Sequence, residues 1–166
     1  AIEQIRIALK YKPSASRLLR QLGLLHFKIK KPEIAVKCLL KAASVNRQDT
    51  ITLAHLAEYY QGLGELEKSG EYYLQVLSLS RKFNDKAIKM AEKLLIQGSR
   101  NLSMELFSKI ITRSKKQNAA RETVIDICLA NREYAFPQKL LEDCIKENPS
   151  NYDMLFKSAM VHTEMK

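Results

Sequence analysis

The chain has 166 residues, 46% of them hydrophobic and 28% charged, a balance that suits a folded protein and excludes a disordered segment. Only 5 glycines and 4 prolines are present, too few for the turns of an all-β protein, so an all-helical fold is expected. The net charge of +10 would attract nucleic acid, an acidic protein or an anionic surface, without choosing among them.

Residues 1–15 open inside a helical pattern, Ala1-Ile2-Glu3-Gln4-Ile5, with no signal-peptide pattern, so the chain reads as part of a longer one. No apolar run approaches the ~18 residues a membrane span needs. From residue 16 onward the same chemistry returns every 34 residues without a gap, in periods 16–49, 50–83, 84–117 and 118–151, and residues 152–166 begin one more. Leu22-Gly23 is followed by Leu56-Ala57, Met90-Ala91, Val124-Ile125 and Ser158-Ala159. Ala1, Ala35, Ser69 and Ser103 form a column of small residues that Pro137 ends. Ile5, Leu39, Tyr73, Phe107 and Leu141 form a large apolar column, and Ala8, Ala42, Val76, Ile110 and Cys144 form another.

Two helices are predicted in each period. In the first period Leu19, Leu22, His26 and Ile29 recur at helical spacing, and Ala35, Leu39 and Ala42 do so in the second helix. Ser16, Thr50, Asn84 and Asn118 precede the first helices and have side chains suited to N-caps. Gly64 and Gly98 recur between the two helices, where a left-handed turn favours glycine. Small residues on facing helices allow close backbone approach, and large residues beside them fill the remaining space. One helix pair cannot bury its apolar face alone, so each must stack on the next.

These columns resemble the tetratricopeptide repeat, whose pattern runs W-x2-L-G-x2-Y, A-x3-F and P. Leu22-Gly23, Ala35, Leu39 and Ala42 carry the likeness in one period, Leu56-Ala57, Tyr60, Gly64 and Tyr73 in the next, and Pro13 and Pro149 match the closing proline. Leu19, Leu53, Ala87 and Arg121 stand where the family has tryptophan, and Arg47, Arg81 and Lys115 replace the closing proline. The period 118–151 is the least regular, and Pro137 fits only if its helix begins a few residues earlier. The resemblance implies an all-α, right-handed superhelical solenoid of antiparallel helix pairs. Residues 1–166 would form a single array: a second helix at 1–15, four full repeats and a first helix at 152–166. It also implies a protein–protein interaction module or scaffold, not an enzyme.

The residues themselves show no catalytic constellation. His26, His55 and His162 are scattered, and His26 and His162 fall in the column of Tyr60, which marks them as packing residues. No GxxxxGK[ST], GxSxG or HExxH motif occurs, so no metal or cofactor is expected. Cys38, Cys128 and Cys144 cannot all pair and lack metal-ligand spacing, which favours free thiols in an intracellular, cytoplasmic setting. A Cys128–Cys144 bridge is the alternative.

In the family the first helices line a concave groove. Helical spacing turns Arg17, Arg20, Leu24 and Phe27 away from the packed seam in the first of them, and Ile51, Ala54, Glu58 and Gln61 in the second. Asp85, Ile88, Glu92 and Leu95 follow in the third, and Ala119, Glu122, Asp126 and Leu129 in the fourth. Acids interleaved with aliphatics suit a basic, amphipathic peptide or helix. Some family members clamp a C-terminal carboxylate with lysine, asparagine and arginine. Here Arg20 offers one cation, but Leu24 and His55 stand where asparagine is wanted and Asp85 where lysine is, which disfavours that ligand. Arg47, Arg81 with Lys82, and Lys115 with Lys116 recur one period apart, at the ends of second helices, where the helix dipole favours cations. As a basic edge they supply the alternative reading, weak binding of nucleic-acid phosphates.

Overall fold

The computed structural model describes residues 1–114 and 116–165, and among them it contains ten α-helices and no strand. The helices form two compact units that divide between Phe83 and Asn84, at a period boundary. The first unit holds α1 (Ile2–Tyr11), α2 (Ser16–Lys28), α3 (Pro32–Val45), α4 (Thr50–Gly62) and α5 (Leu66–Leu79). The second holds α6 (Asn84–Gln97), α7 (Arg100–Arg113), α8 (Gln117–Ala130), α9 (Ala135–Glu147) and α10 (Tyr152–Glu164). Each full period therefore contains a first and a second helix, packed on one another as α2–α3, α4–α5, α6–α7 and α8–α9.

The seam of each pair follows the small-residue columns. Ala57 and Ala91 are fully buried, and the hydroxyls of Ser69 and Ser103 donate to their carbonyls at 2.7 Å. One hydrogen bond thus recurs a period apart and satisfies a buried hydroxyl at the point of closest approach. The α2–α3 pair is tighter in a different way: a Cβ on Gly23 would lie 3.0 Å from the Ala35 carbonyl oxygen. Leu39, Tyr73, Phe107 and Leu141, the large column, are buried to within 1% exposure. In α8–α9 the corresponding seam residues are Ile125 and Pro137, both buried, and the two helices touch over less of their length than α2–α3. Pro137 sits in the first turn of α9, where its missing N–H costs no helical hydrogen bond.

The turn after each first helix holds one left-handed residue, at positions 30, 64, 98 and 132. Gly64 and Gly98 have φ of 78° and 92°, and Lys30 and Arg132 adopt φ of 57° at the equivalent places. A non-glycine residue is strained there by about 1–2 kcal/mol. The N-caps differ from expectation. Ser16, Thr50 and Asn84 are the first residues of their helices, and Asn118 is the second residue of α8. The caps of α4 and α10 are Asp49, whose carboxylate accepts from the amides of Ile51 and Thr52, and Asn151, which accepts from that of Met154. Residue type alone does not separate a cap from the helical residue after it, because short polar side chains are common at both.

The three cysteines are free. Cys128 and Cys144 are buried as separate thiols, and burial together with the nearby Glu133 charge pushes Cys128 up to about 12.

Candidate functional site

The first helices of the first unit, α2 and α4, together line a cleft of about 500 Å³. Leu24, Phe27 and Lys28 of α2 form one wall, and His55, Glu58 and Tyr59 of α4 form the other. Helical spacing explains the selection. Leu19, Leu22 and His26 bury one face of α2, leaving Leu24 and Phe27 half-buried at its border. On α4, Leu53, Leu56 and Ala57 are buried, which places His55, Glu58 and Tyr59 on the flank.

Aromatic rings continue from the cleft. Phe27 and Tyr59 are 5.8 Å apart between centroids, Tyr59 meets Tyr60 edge-on at 5.5 Å, and Tyr60 stacks on Tyr72 at 5.6 Å. The Lys68 ammonium lies 5.3 Å from the centre of the Tyr60 ring and pairs with Glu65 at 2.5 Å. At the mouth, His55 Nδ1 is 3.3 Å from a Glu58 carboxylate oxygen. Burial and the Glu58 charge push the core tyrosine Tyr73 up to about 12, so it is a neutral packing group. A half-buried aromatic floor beside a carboxylate can take a cationic side chain, its stem on the rings and its head at the acid.

Three of the groove residues expected from the sequence, Leu24, Phe27 and Glu58, are brought together here. His55, Tyr59 and Lys28 were missing from that set. Tyr59 had a signal: it follows Glu58, and a residue 100° round the helix from a groove position lies at the groove's border. The remaining members have other surroundings. Arg17 and Ile51 are exposed near the N-termini of α2 and α4, and Ala54 is buried. Arg20 donates to both carboxylate oxygens of Asp49, at 2.6 and 2.5 Å, instead of facing a ligand. Burial alone would raise the Asp49 carboxyl, but the Thr52 hydroxyl and amide and the Arg20 guanidinium outweigh it and hold it below the usual range.

In the second unit, Asp85 is exposed and Ile88, Glu92 and Glu122 are half-buried. Leu95 is only 8% exposed, and Leu129 packs on the cluster of Ile125, Leu141, Cys144, Met154 and Val161. Asp126 is bridged by Lys157 at 2.7 Å, which also holds Asp153 at 2.6 Å. That partner stands on the next first helix, 31 positions further on. Two further ion pairs stay within the unit: Arg100 with the buried Glu133, and Arg121 with Glu147 at 2.6 Å. Arg47, Arg81, Lys82 and Lys116 are exposed, and they lie in the connections beyond the second helices instead of in their last turns. Lys115 lies outside the described residues. Among the described residues no group of three His, Cys, Asp or Glu side chains could hold a metal ion, and no helix is long and apolar enough to cross a membrane.

Helix pairs of similar length and a repeating seam define a helical-repeat protein. Residues 17–49 and 52–83 match the model of the tetratricopeptide repeat family, so these two periods are tetratricopeptide repeats. The fold is shared with solved structures of low identity. The crystal structure of MamA matches with a TM-score of 0.58 at 15% identity, covering 92% of this chain and 89% of that one. A tetratricopeptide repeat protein from Parabacteroides merdae ATCC 43184 matches with a TM-score of 0.60 at 20% identity, covering 99% of this chain and 66% of that one. These likenesses put the chain among the helical solenoids. No curated protein matches it by sequence. Repeats of this family are in general non-catalytic protein-interaction modules, and the two matched here support an interaction scaffold.

Proposed function

We propose that the chain binds a basic, amphipathic peptide or helix on its first-helix faces, and that the α2–α4 cleft takes one lysine or arginine of that ligand. The observation that supports this reading is the convergence of Phe27, Tyr59 and Glu58 around one cavity of about 500 Å³. The ligand's methylene stem lies on the two rings and its cation at Glu58, while Leu24 covers a neighbouring aliphatic group. Taken by itself, the second unit has the half-buried acids Glu92 and Glu122 on first helices, which suit a basic ligand in the same way. Asp126, already bridged by Lys157, contributes least.

Acids and apolar groups act on different rates. Carboxylates speed the encounter with a basic ligand, and desolvated rings slow its departure. In a stopped-flow titration with a labelled leucine–lysine amphipathic peptide, Glu58→Gln is expected to slow association by about threefold to tenfold. Phe27→Ala is expected to speed dissociation by a similar factor while leaving association intact. If both variants bind this peptide like the parent, the ligand does not sit in the α2–α4 cleft and the reading is wrong.

A further inference from the structure

The first unit has a second surface whose lining and charge differ from those of the α2–α4 cleft. α1 and α3 both pack on α2, and an apolar cavity of about 340 Å³ opens among the three helices. Leu9, Leu22, Ile34 and Cys38 line it, with Lys37 and Lys41. Ile34, Lys37, Cys38 and Lys41 follow one another at i, i+3, i+4 and i+7, so a single face of α3 carries both the apolar floor and the cations. α1 adds uncovered apolar surface. Ile7 and Tyr11, one turn apart, are 47% and 84% exposed.

Lys37 and Lys41 are the charged residues that line this cavity, and the sequence around it is basic. Residues 1–47 contain eleven Lys and Arg against two Asp and Glu, nine of the chain's net ten charges in its first three helices and their connections. The Cys38 thiol is raised by burial and pulled back by the charges of Arg6 and Lys41, which places Arg6 of α1 within electrostatic reach of the same cavity. An apolar trough bordered by cations and nearly free of acids complements one class of partner better than others. Nucleic-acid phosphates would use the cations and leave the apolar floor idle. Base stacking has little to work with, since α3 has no aromatic residue and α1 has Tyr11 alone. A helix with aliphatic residues on one face and acids beside them uses both features.

We infer that the α1–α3 face docks an acidic amphipathic helix of a partner protein, its aliphatic side chains in the cavity and its carboxylates on Lys37, Lys41 and Arg6. This surface is separate from the α2–α4 cleft and opposite in charge preference, so one chain can hold a basic and an acidic segment together.

The test uses the full chain and three probes: a leucine–glutamate peptide of about 18 residues with its leucines on one helical face, the same composition scrambled so that they share no face, and a single-stranded oligonucleotide. At physiological salt the amphipathic peptide should bind at least about tenfold more tightly than either other probe. It should slow alkylation of Cys38, and Lys37→Glu with Lys41→Glu should weaken it by about tenfold or more. The milder pair Lys37→Gln with Lys41→Gln should weaken it in the same direction, and circular dichroism checks that both variants remain folded. Glu58→Gln should leave this affinity unchanged, which separates the two surfaces. Equal binding of the scrambled peptide, tighter binding of the oligonucleotide, or affinity untouched by both lysine pairs would overturn the assignment.

Discussion

His26 shows how a single buried side chain can carry a measurable signature. It is 2% exposed, and neither ring nitrogen has a hydrogen-bond partner among the described residues. Burial, with the charges of Arg6 and Lys31, lowers its pKa, which favours the neutral ring in the folded chain. The unfolded chain binds a proton near the ordinary value of about 6.5, and the folded chain binds it only at lower pH. Between those two values the unfolded state holds more protons. The stability contributed is therefore complete above about pH 6.5 and is lost as pH falls toward the folded pKa, with a slope of up to about 1.4 kcal/mol per pH unit. His26→Leu, which installs the residue found two periods along at Leu94, should remove this slope and be neutral or stabilising at pH 7.5, since an unpartnered polar group is replaced by an apolar one. Urea unfolding at pH 7.5 and 5.5 checks it; an unchanged slope in the variant would show that another group titrates. The packing role of His26 was legible in the sequence because its column mates include Tyr60, Leu94 and Cys128. The Arg20–Asp49 pair was not, because it depends on Asp49 being a cap at the start of α4, one residue before the position that residue type suggested.

The helix pair is the element on which the fold depends, and its seam has no spare volume. Ala57 and Ala91 are fully buried, and each carbonyl accepts a serine hydroxyl from the facing helix. A leucine at either position pushes the helices apart and breaks that contact. Ala57→Leu or Ala91→Leu is expected to cost about 1–3 kcal/mol, and Ser69→Ala, which removes one hydrogen bond and leaves little void, about 1 kcal/mol. Denaturant midpoints report both; a midpoint unchanged by Ala57→Leu would mean that the seam lies elsewhere. This level of the fold was the most legible in the sequence, because a seam that must stay narrow restricts residue size at every recurrence. The cleft was less so. Helical spacing placed Leu24, Phe27 and Glu58 on the outward faces of their helices, but it could not show that Tyr59 would turn toward Phe27. Nor could it show that Lys157 would cross to Asp126. Both depend on how neighbouring helices approach, which a period measured along one chain does not encode.

Over the whole molecule the net charge is uneven, and that decides how the chain should respond to a polyanion. The loop cations Arg47, Arg81, Lys82 and Lys116 are exposed and recur by period, yet all but Arg47 lie outside the region where the excess is concentrated. Residues 48–83 contain three Lys and Arg against five Asp and Glu, so Arg81 and Lys82 belong to an acidic stretch that offsets them. Residues 1–47 have no such offset. A nucleic acid held only by counterion release should therefore attach to the α1–α3 region, weakly and without sequence preference. With about three phosphate contacts, affinity should fall by roughly 10- to 100-fold between 50 and 200 mM salt. Reversing Lys10, Lys12 and Lys30 to glutamate should shift elution from a polyanion column to much lower salt. Reversing Arg81, Lys82 and Lys116 changes the net charge by the same amount and should shift it far less. The paired comparison separates where the charge lies from how much there is. Equal shifts would mean that the column reads net charge alone. A complex that selects among sequences and survives physiological salt would place nucleic-acid recognition, instead of protein binding, at the centre of this chain's work.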